Sequence, residues 1–378
     1  MRRTGLAELP LHRGGVPRWL MARMTRLANA IVLLLVEEHG PKAFLRRISD
    51  PFWFQALGCV LGFDWHSSGI TTVLTAVLRQ AVRPEEHGLA VCGGKGRRSK
   101  ATPDDIKRAV ELFGLGEEER KRLIYASRMC AKVDNAAVQD GYTLYHHALF
   151  LAEDGSWAVV QQGMSPPDRT ARRYHWLSEG LDSFVVEPHS GIAGDTRRAV
   201  VLDMTARESE GCRRASLDLA REGPARVGRL LRSLRAEGQK SLLEWLPPGA
   251  RKALSPSGQE APLKYLRMPW RINWSALSRA YELQPSDYEG LLAIRGLGPA
   301  TVRALALISA LVYGEEPSWR DPARFSFAFG GKDGVPYPVN RKLMDEAISL
   351  LEEAIEKARI GQEERLRALK RLRALLRG

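Results

Sequence analysis

A short glycine-flanked turn between two apolar segments constrains the fold of this chain more than any other feature. Residues 288–313 read YEGLLAIRGLGPATVRALALISALVY, which predicts a short helix, a Gly296-Leu297-Gly298 hairpin and a second helix that begins near Pro299. The two glycines permit tight backbone geometry and carry no side chain, so an anion can approach the backbone N–H groups. Those groups would lie at the N-terminus of the second helix, whose dipole favours a negative charge. Leu297 would plug the hairpin into the core between the helices.

This pattern resembles the helix-hairpin-helix family of DNA-binding motifs. The resemblance implies that the hairpin contacts the sugar-phosphate backbone of DNA and reads little of its sequence. The predicted DNA-binding residues of this segment are Arg295, Gly296, Leu297, Gly298, Ala300, Thr301 and Arg303. An ordinary helical connection with a glycine turn is the alternative interpretation.

The charge balance indicates a polyanionic partner. Lysine and arginine number 57 against 44 acidic residues, which gives a formal net charge of +13 and a pI near 9.8. A globular protein this basic usually binds polyanions, although thermophilic proteins also enrich surface charge. Four widely spaced cysteines without a CxxC pair argue against zinc, iron–sulfur and disulfide frameworks. The longest apolar run, residues 30–36, is far shorter than the ~20 residues of a membrane helix, so we expect a cytoplasmic protein with no membrane partner.

Hydrophobic periodicity predicts an α+β protein. Residues 1–205 are expected to form a mixed domain, with a helix over 21–48 and a small, antiparallel-rich sheet. Strands are predicted near 142–151, 157–164, 184–188 and 199–204, with a shorter strand over 89–92. Residues 206–241 are typical of a basic helical connector. Residues 242–378 are expected to form an all-α DNA-binding domain, with the helix-hairpin-helix at 288–314 and an amphipathic helix from about residue 340.

The polar residues of the mixed domain suggest an active site. Metal-dependent phosphodiester cleavage needs carboxylates for Mg²⁺ or Mn²⁺ and a lysine or histidine to handle a proton. The predicted catalytic residues are Lys132, Asp134, Asp140, His147, Gln162 and Glu187, with Asp134, Asp140 and Glu187 as metal ligands and Arg172 and Arg173 as phosphate contacts. The sequence has no HExxH motif, no Walker loop and no nucleotide or flavin signature. A lone histidine on a strand is more often a hydrogen-bonded structural residue, and that interpretation stays open.

A further resemblance covers roughly residues 265–345. Helix-hairpin-helix DNA glycosylases carry a catalytic lysine or pocket residue just after the hairpin and an aspartate downstream. In this chain the lysine position falls near Ala300, and Asn340 lies where the aspartate is expected. The loop FAFGGKDGVPYPVNR could still hold a second phosphate through Gly330, Gly331, Lys332 and Arg341, and a plain surface loop is the alternative interpretation.

The longest resemblance extends over nearly the whole chain. The segments LPLHRGGVPRWL, FWFQALGCVLGFDWHSSG, KVDNAAVQDGYTLYHH, WAVVQQGM, ARRYHW and GGKDGVPYPVNR are similar to an uncharacterised family, number 763 of the domains of unknown function, found in archaea and thermophilic bacteria. The resemblance implies an intracellular, thermophilic protein and implies no activity or catalytic residue.

Three functional hypotheses follow from the sequence. The favoured hypothesis is a DNA-repair or DNA-processing enzyme, a metal-dependent nuclease that acts on structured or damaged DNA. The second is a glycosylase or AP lyase of the helix-hairpin-helix type, with Lys132 or Lys332 as its lysine. The third is a DNA-binding scaffold without catalytic activity. RNA stays open as the nucleic-acid partner.

Overall fold

The computed structural model describes residues 18–61, 69–168, 170–194, 197–236 and 268–323, and also residues 353, 362 and 366. The N-terminal helices are α1 (Arg18–Ile48), α2 (Pro51–Leu61), α3 (Gly69–Ala81) and the single turn α4 (Pro84–His87). Helix α1 contains a break at Gly40, where φ is 77° and Pro41 follows. None of the helices in these ranges is long and apolar enough to cross a membrane.

A five-stranded antiparallel sheet forms the centre of the N-terminal part. Its order is β1-β3-β4-β5-β6, and a separate pair joins β2 to β7. The strands are β1 (Leu89–Lys95), β2 (Val138–Gln139), β3 (Thr143–Ala152), β4 (Trp157–Ser165), β5 (Thr170–Leu177), β6 (Gly191–Gly194) and β7 (Leu202–Asp203). The mixed α+β class predicted from the sequence is confirmed.

Helices cover both faces of the sheet, which explains why strand side chains are buried on both faces. Ala148, Phe150 and Val160 point towards α1–α3, whereas Leu149 and Val159 point to the opposite side, because neighbouring strand residues alternate between faces. The opposite side carries α5 (Arg97–Lys100), α6 (Thr102–Leu112) and α7 (Glu117–Lys132), and α7 continues directly into a π-helical segment, Val133–Ala137.

The C-terminal helices pack onto this second face. They are α8 (Glu210–Glu222), preceded by a 3₁₀ turn at Arg207–Ser209, then α9 (Pro224–Ala236), α10 (Trp274–Leu283), α11 (Tyr288–Ala293) and α12 (Pro299–Tyr313). One buried apolar cluster includes Leu149 and Trp176 from the sheet and Leu297 and Leu305 from the helices. The core is therefore continuous across residue 205, where the sequence suggested a domain boundary.

Two predicted strands differ from the observed structure. Residues 184–188 are not a strand, because Glu187 has a left-handed backbone with φ 43° and Phe184 stacks on Trp157 with ring centroids 6.1 Å apart. The strand predicted over 199–204 is reduced to β7. Strands β5 and β6 were not predicted.

Candidate functional site

The predicted hairpin joins α11 to α12. Asp287 begins α11 by accepting a hydrogen bond from the Gly290 amide at 2.7 Å. Gly296 has φ 89°, a conformation that glycine adopts without strain. Leu297 is completely buried, whereas Arg295 and Gly296 are exposed. The apolar plug and the exposed glycine turn therefore have the expected arrangement.

Three successive carbonyl oxygens of the hairpin accept hydrogen bonds from neighbouring side chains. Lys132 Nζ donates to the Ile294 oxygen at 3.2 Å, and Asn273 Nδ2 donates to the Gly296 oxygen at 3.0 Å. Arg279 donates to the Arg295 oxygen between them. In a trans peptide the N–H points away from the C=O, so the Gly296 amide faces away from the side chain that holds the Arg295 carbonyl.

Several hairpin amides have no partner in the described part of the chain. They belong to Gly296, Gly298 and Ala300, whereas the Leu297 amide closes the turn onto the Ile294 oxygen at 3.1 Å. Gly298 is the N-cap of α12 with φ −99° and ψ −178°, and no side chain caps the helix. Because the first N–H groups of a helix have no intrahelical acceptor, these amides remain available to an external anion.

The other predicted DNA contacts of this region are held by the protein itself. Thr301 is buried, and its hydroxyl accepts the Asn273 amide at 3.1 Å. Arg303 is half-buried and donates to Gln139 Oε1 at 3.1 Å. Of the two predicted arginine contacts of this segment, Arg295 is therefore the exposed one.

The segment from Lys132 to Gln139 connects the hairpin to the part of the protein that contains the five-stranded sheet. Lys132 contacts the hairpin, Asp134 lies in the core, and Gln139 Nε2 donates to the Pro299 oxygen at 2.8 Å. Burial lowers the pKa of Lys132. The segment includes the π-helical turn, a geometry that often occurs at functional sites.

Asp134 is the centre of a buried hydrogen-bond network. Its carboxylate accepts from Trp176 Nε1 at 3.0 Å, from Gln161 Nε2, and from His189 Nε2 at 2.5 Å. Trp176 and Gln161 both donate to Oδ2, whereas His189 Nε2 pairs with Oδ1. The other ring nitrogen of His189, Nδ1, has no hydrogen-bond partner among the described residues.

His147 continues the same network into helix α7. Its Nδ1 donates to Gln161 Oε1 at 2.9 Å, and its Nε2 accepts from the Ser127 hydroxyl at 2.8 Å. Burial lowers the pKa of His147, although Gln161 and Asp134 oppose that shift. His147 is thus a neutral, enclosed histidine that orients Gln161 and, through it, Asp134.

His189 lines a cleft of about 230 Å³ beside this network. Asp203, Thr205, Arg320 and Asp321 also line the cleft, and Glu187 lies at its wall with its left-handed backbone. The side chain of His189 is only 7% exposed. Non-glycine residues with positive φ are uncommon and concentrate at functional sites, so this cleft is a second candidate site.

Asp140 and Arg172 lie behind the cleft, where Arg172 bonds the lining residue Asp321. Arg172 is completely buried and donates to Asp140 Oδ2 at 3.0 Å and to both oxygens of Asp321 at 2.7 and 2.9 Å. Burial raises the pKa of Asp140, and the Arg172 guanidinium opposes that shift. In this arrangement the Arg172 charge is compensated inside the protein and cannot reach a nucleic acid.

Gln162 and Arg173 lie on the other face of the sheet. Gln162 accepts from the Thr71 hydroxyl, and Arg173 donates to Gln55 at 3.2 Å. His147 pairs with Gln161 in the sheet register, so Gln162 is separated from His147 by the thickness of the sheet. Both Gln162 and Arg173 are buried beneath α2 and α3.

The structure thus brings together part of the predicted set. Asp134 bonds His189, which lines the cleft together with Glu187. Lys132 lies at the hairpin, whereas Gln162 is on the opposite face of the sheet. The residues predicted from the sequence did not include four that line the cleft: His189, Asp203, Thr205 and Asp321. Lys332 and Arg341 lie outside the described residues, as does most of the predicted C-terminal helix. No group of three or more His, Cys, Asp or Glu side chains able to hold a metal occurs in the described ranges.

These features define a mixed α+β protein in which the five-stranded sheet and the glycine hairpin share one hydrophobic core. The chain belongs to the family described as Protein of unknown function (DUF763), whose model matches residues 5–339. No curated protein and no solved structure matches the chain. The whole-chain resemblance is confirmed, and family membership assigns no activity.

Proposed function

We propose that this protein binds the backbone of DNA through the hairpin Arg295–Ala300. The proposal rests on the amides of Gly296, Gly298 and Ala300, which have no acceptor in the described part of the chain and surround the exposed turn. Backbone N–H groups at a helix N-terminus are a common phosphate site, and the net charge of +13 supports a polyanionic ligand. Such binding positions the nucleic acid without reading its sequence. The free, buried cysteines support a reducing, cytoplasmic location.

Gly298 offers a selective test of this proposal. Its backbone is extended, and a Cβ added there would have no heavy atom closer than Gly296 O at 4.0 Å, so the position accepts a β carbon without a clash. The added side chain would occupy the space in front of the amides. Hydrogen bonds to a charged group are worth ~1.5–3 kcal/mol each, so losing one or two predicts at least a ~10-fold weaker Kd for a random-sequence duplex.

Gly116 provides the matched control. It is the N-cap of α7 with φ −75° and ψ 171°, and an added Cβ meets nothing within 4 Å. Glu117–Glu119 follow it, so it has no role in binding an anion. Gly116→Val should bind the duplex like the wild type. Equal affinities for Gly298→Val and Gly116→Val would contradict the proposal, and competition with structured RNA would identify the preferred nucleic acid.

We also propose that the bound backbone is cleaved in the His189 cleft. The supporting observation is the Asp134–His189 pair, in which His189 lines the cleft and Asp134 belongs to the segment 132–139 that contacts the hairpin. His189 could accept a proton from the water that attacks the phosphorus. Mg²⁺ commonly uses one or two protein carboxylates plus substrate phosphates. Glu187 and Asp203 line the cleft and could fill that role, because the protein bonds one oxygen of each, through Arg207 and Thr205. Both oxygens of Asp134 and both oxygens of Asp140 accept hydrogen bonds from the protein.

The cleavage proposal is tested on nicked, branched, single-stranded and lesion-bearing DNA with Mg²⁺ or Mn²⁺ and with chelator. We expect His189→Gln to abolish cleavage while duplex affinity stays within twofold. His39→Gln, at a half-exposed histidine on α1, is the control and should keep both properties. Binding without turnover in the wild type on every substrate would refute the nuclease and favour the scaffold.

One observation favours a lyase as the second candidate. Lys132 is half-buried, its pKa is lowered by burial, and its amine lies 3.2 Å from the hairpin. A lysine with a lowered pKa is a better nucleophile towards the aldehyde of an abasic sugar. Borohydride should then trap a covalent adduct with abasic DNA that disappears in Lys132→Met. An adduct that persists in this variant, or no adduct at all, removes Lys132 as the nucleophile.

A further inference from the structure

A basic segment, made of the end of strand β1 and the single-turn helix α5, precedes helix α6. We call residues 95–100 the basic loop; its side chains Lys95, Arg97, Arg98 and Lys100 are all exposed. The loop is held rigidly at both ends: Asp105 accepts the Gly93 amide at 3.0 Å, and the Gly96 amide donates to the Tyr145 oxygen at 2.9 Å. The Ser99 and Thr102 hydroxyls donate to the backbone oxygens of Gly96 and Ser99.

The cations of the basic loop differ from other surface cations of this region. In the described residues, none of the four forms an ion pair with a carboxylate. On neighbouring α7, by contrast, successive cations are paired with acids three residues earlier: Arg120 with Glu117, Lys121 with Glu118, and Arg122 with Glu119. A concentration of uncompensated positive charge on a fixed backbone is typical of a polyanion-binding surface.

The basic loop and the hairpin lie at the same end of the α6–α7 pair. A Cβ on Gly93 would come within 2.4 Å of both His147 O and Thr102 Oγ1, so the start of α6 packs beside His147. His147 in turn bonds Ser127 of α7 at 2.8 Å. Lys132 is five residues further along α7, about 7.5 Å at 1.5 Å per residue, and it contacts the hairpin.

Two cations of α7 follow Ser127 towards the hairpin. Arg128 is exposed and lies one helical turn before Lys132, so both side chains share a face of α7. The chain of contacts from the basic loop to the hairpin, through His147 and Ser127, therefore runs along the end of α7 that carries Arg128 and Lys132. The exposed Arg295 adds a cation at the hairpin.

We infer that the basic loop is a second phosphate-binding surface and that one DNA duplex extends from the hairpin past Arg128 to this loop. The inference rests on the proposed function, because the hairpin fixes one end of the duplex. Side chains of Lys95, Arg97 and Arg98 contact phosphates and read no bases. The loop therefore lengthens the binding site and increases the salt dependence of binding.

The test compares two variants of the full chain with equal changes in net charge. In the loop variant, Lys95, Arg97 and Arg98 are replaced by glutamine. In the control, Arg120, Lys121 and Arg122 are replaced by glutamine, which removes cations already paired with acids. Each phosphate contact contributes about 0.9 to the magnitude of the slope of log K against log salt. On a random-sequence duplex of about 20 base pairs, the slope of the loop variant should therefore be smaller in magnitude than that of the wild type by about 2 to 3. The control should keep the wild-type slope.

The outcomes separate this inference from the proposed function. If both triple variants behave alike while Gly298→Val weakens binding, the hairpin binds DNA and the basic loop does not. If the loop variant weakens binding while Gly298→Val does not, the loop binds and the hairpin proposal is wrong. No duplex binding by the wild type overturns both. Circular dichroism of each variant verifies that it is folded.

Discussion

Replacing Arg172 with methionine should destabilise the protein severely. Arg172 donates to Asp140 and to both oxygens of Asp321, and all three side chains are almost completely inaccessible to water. These contacts join strand β5 to the segment that precedes β3 and to residues 318–323 beside the cleft. Methionine keeps much of the side-chain volume but removes the charge, which leaves two carboxylates buried without their cation.

The magnitude follows from the burial of the two acids. Breaking a buried ion pair by removing one partner costs about 3–5 kcal/mol, because the remaining charge has no compensation. Asp140 retains hydrogen bonds from the Tyr174 hydroxyl and the Tyr142 amide, and Asp321 retains the Arg198 and Ala323 amides. These bonds keep the cost near the lower end of the range. A loss of about 3 kcal/mol is still a large part of the ~5–15 kcal/mol that a folded domain has.

Urea unfolding at pH 7 measures this loss as a shift of the midpoint at constant slope. The compensated variant Arg172→Met/Asp140→Asn/Asp321→Asn provides the control, because it removes the buried charges together. It should recover most of the loss, as replacing a complete buried ionic cluster is often nearly neutral. If Arg172→Met is within about 1 kcal/mol of the wild type, the three side chains do not form the buried cluster described above.

Three further predictions concern the backbone and the response to acid. Glu187→Gly should stabilise the fold by about 1 kcal/mol, because it removes a left-handed non-glycine residue, and a calorimetric Tm at or below that of the wild type would contradict it. Gly296→Ala should lower the free energy of unfolding by at least about 1 kcal/mol, because φ is 89° there and the added Cβ would lie 2.8 Å from Asn273 Nδ2. Gly298→Ala should leave the free energy of unfolding unchanged in the same assay, because its Cβ would meet no atom closer than 4.0 Å. Burial opposes ionisation of Asp105, but hydrogen bonds from Arg79 and the Gly93 amide hold its pKa below the usual range. Stability from Asp105 is therefore present above about pH 4 and is lost as pH falls through the folded-state pKa, and Asp105→Asn should show a shallower loss between pH 5 and pH 2 than the wild type.

Local sequence signals predicted those elements whose determinants lie close together in the chain. The hairpin of β3 and β4 is defined by a short polar turn between its strands, and α6 begins at Thr102-Pro103, residues typical of a helix start. The glycine-flanked turn before α12 depends on residues that are adjacent in sequence. These features were therefore visible without knowledge of the tertiary structure.

Elements stabilised by distant partners were not visible in this way. Strand β5 contains Arg172, Arg173 and His175 in its interior, which is unlike an ordinary buried strand. Their acceptors come from α1–α2 and from Asp321, up to 149 residues away. The cleft has the same origin, because residues 318–322 complete a wall otherwise formed by residues 187–208. The spacing of residues along the sequence cannot reveal such long-range tertiary contacts.

The amides of the hairpin can be observed directly by nuclear magnetic resonance on protein labelled with ¹⁵N-glycine. The account predicts that a random-sequence DNA duplex shifts the Gly296 and Gly298 signals in a saturable manner and leaves the Gly116 signal unchanged. If neither hairpin signal moves at duplex concentrations that saturate the protein, the hairpin does not hold the DNA backbone.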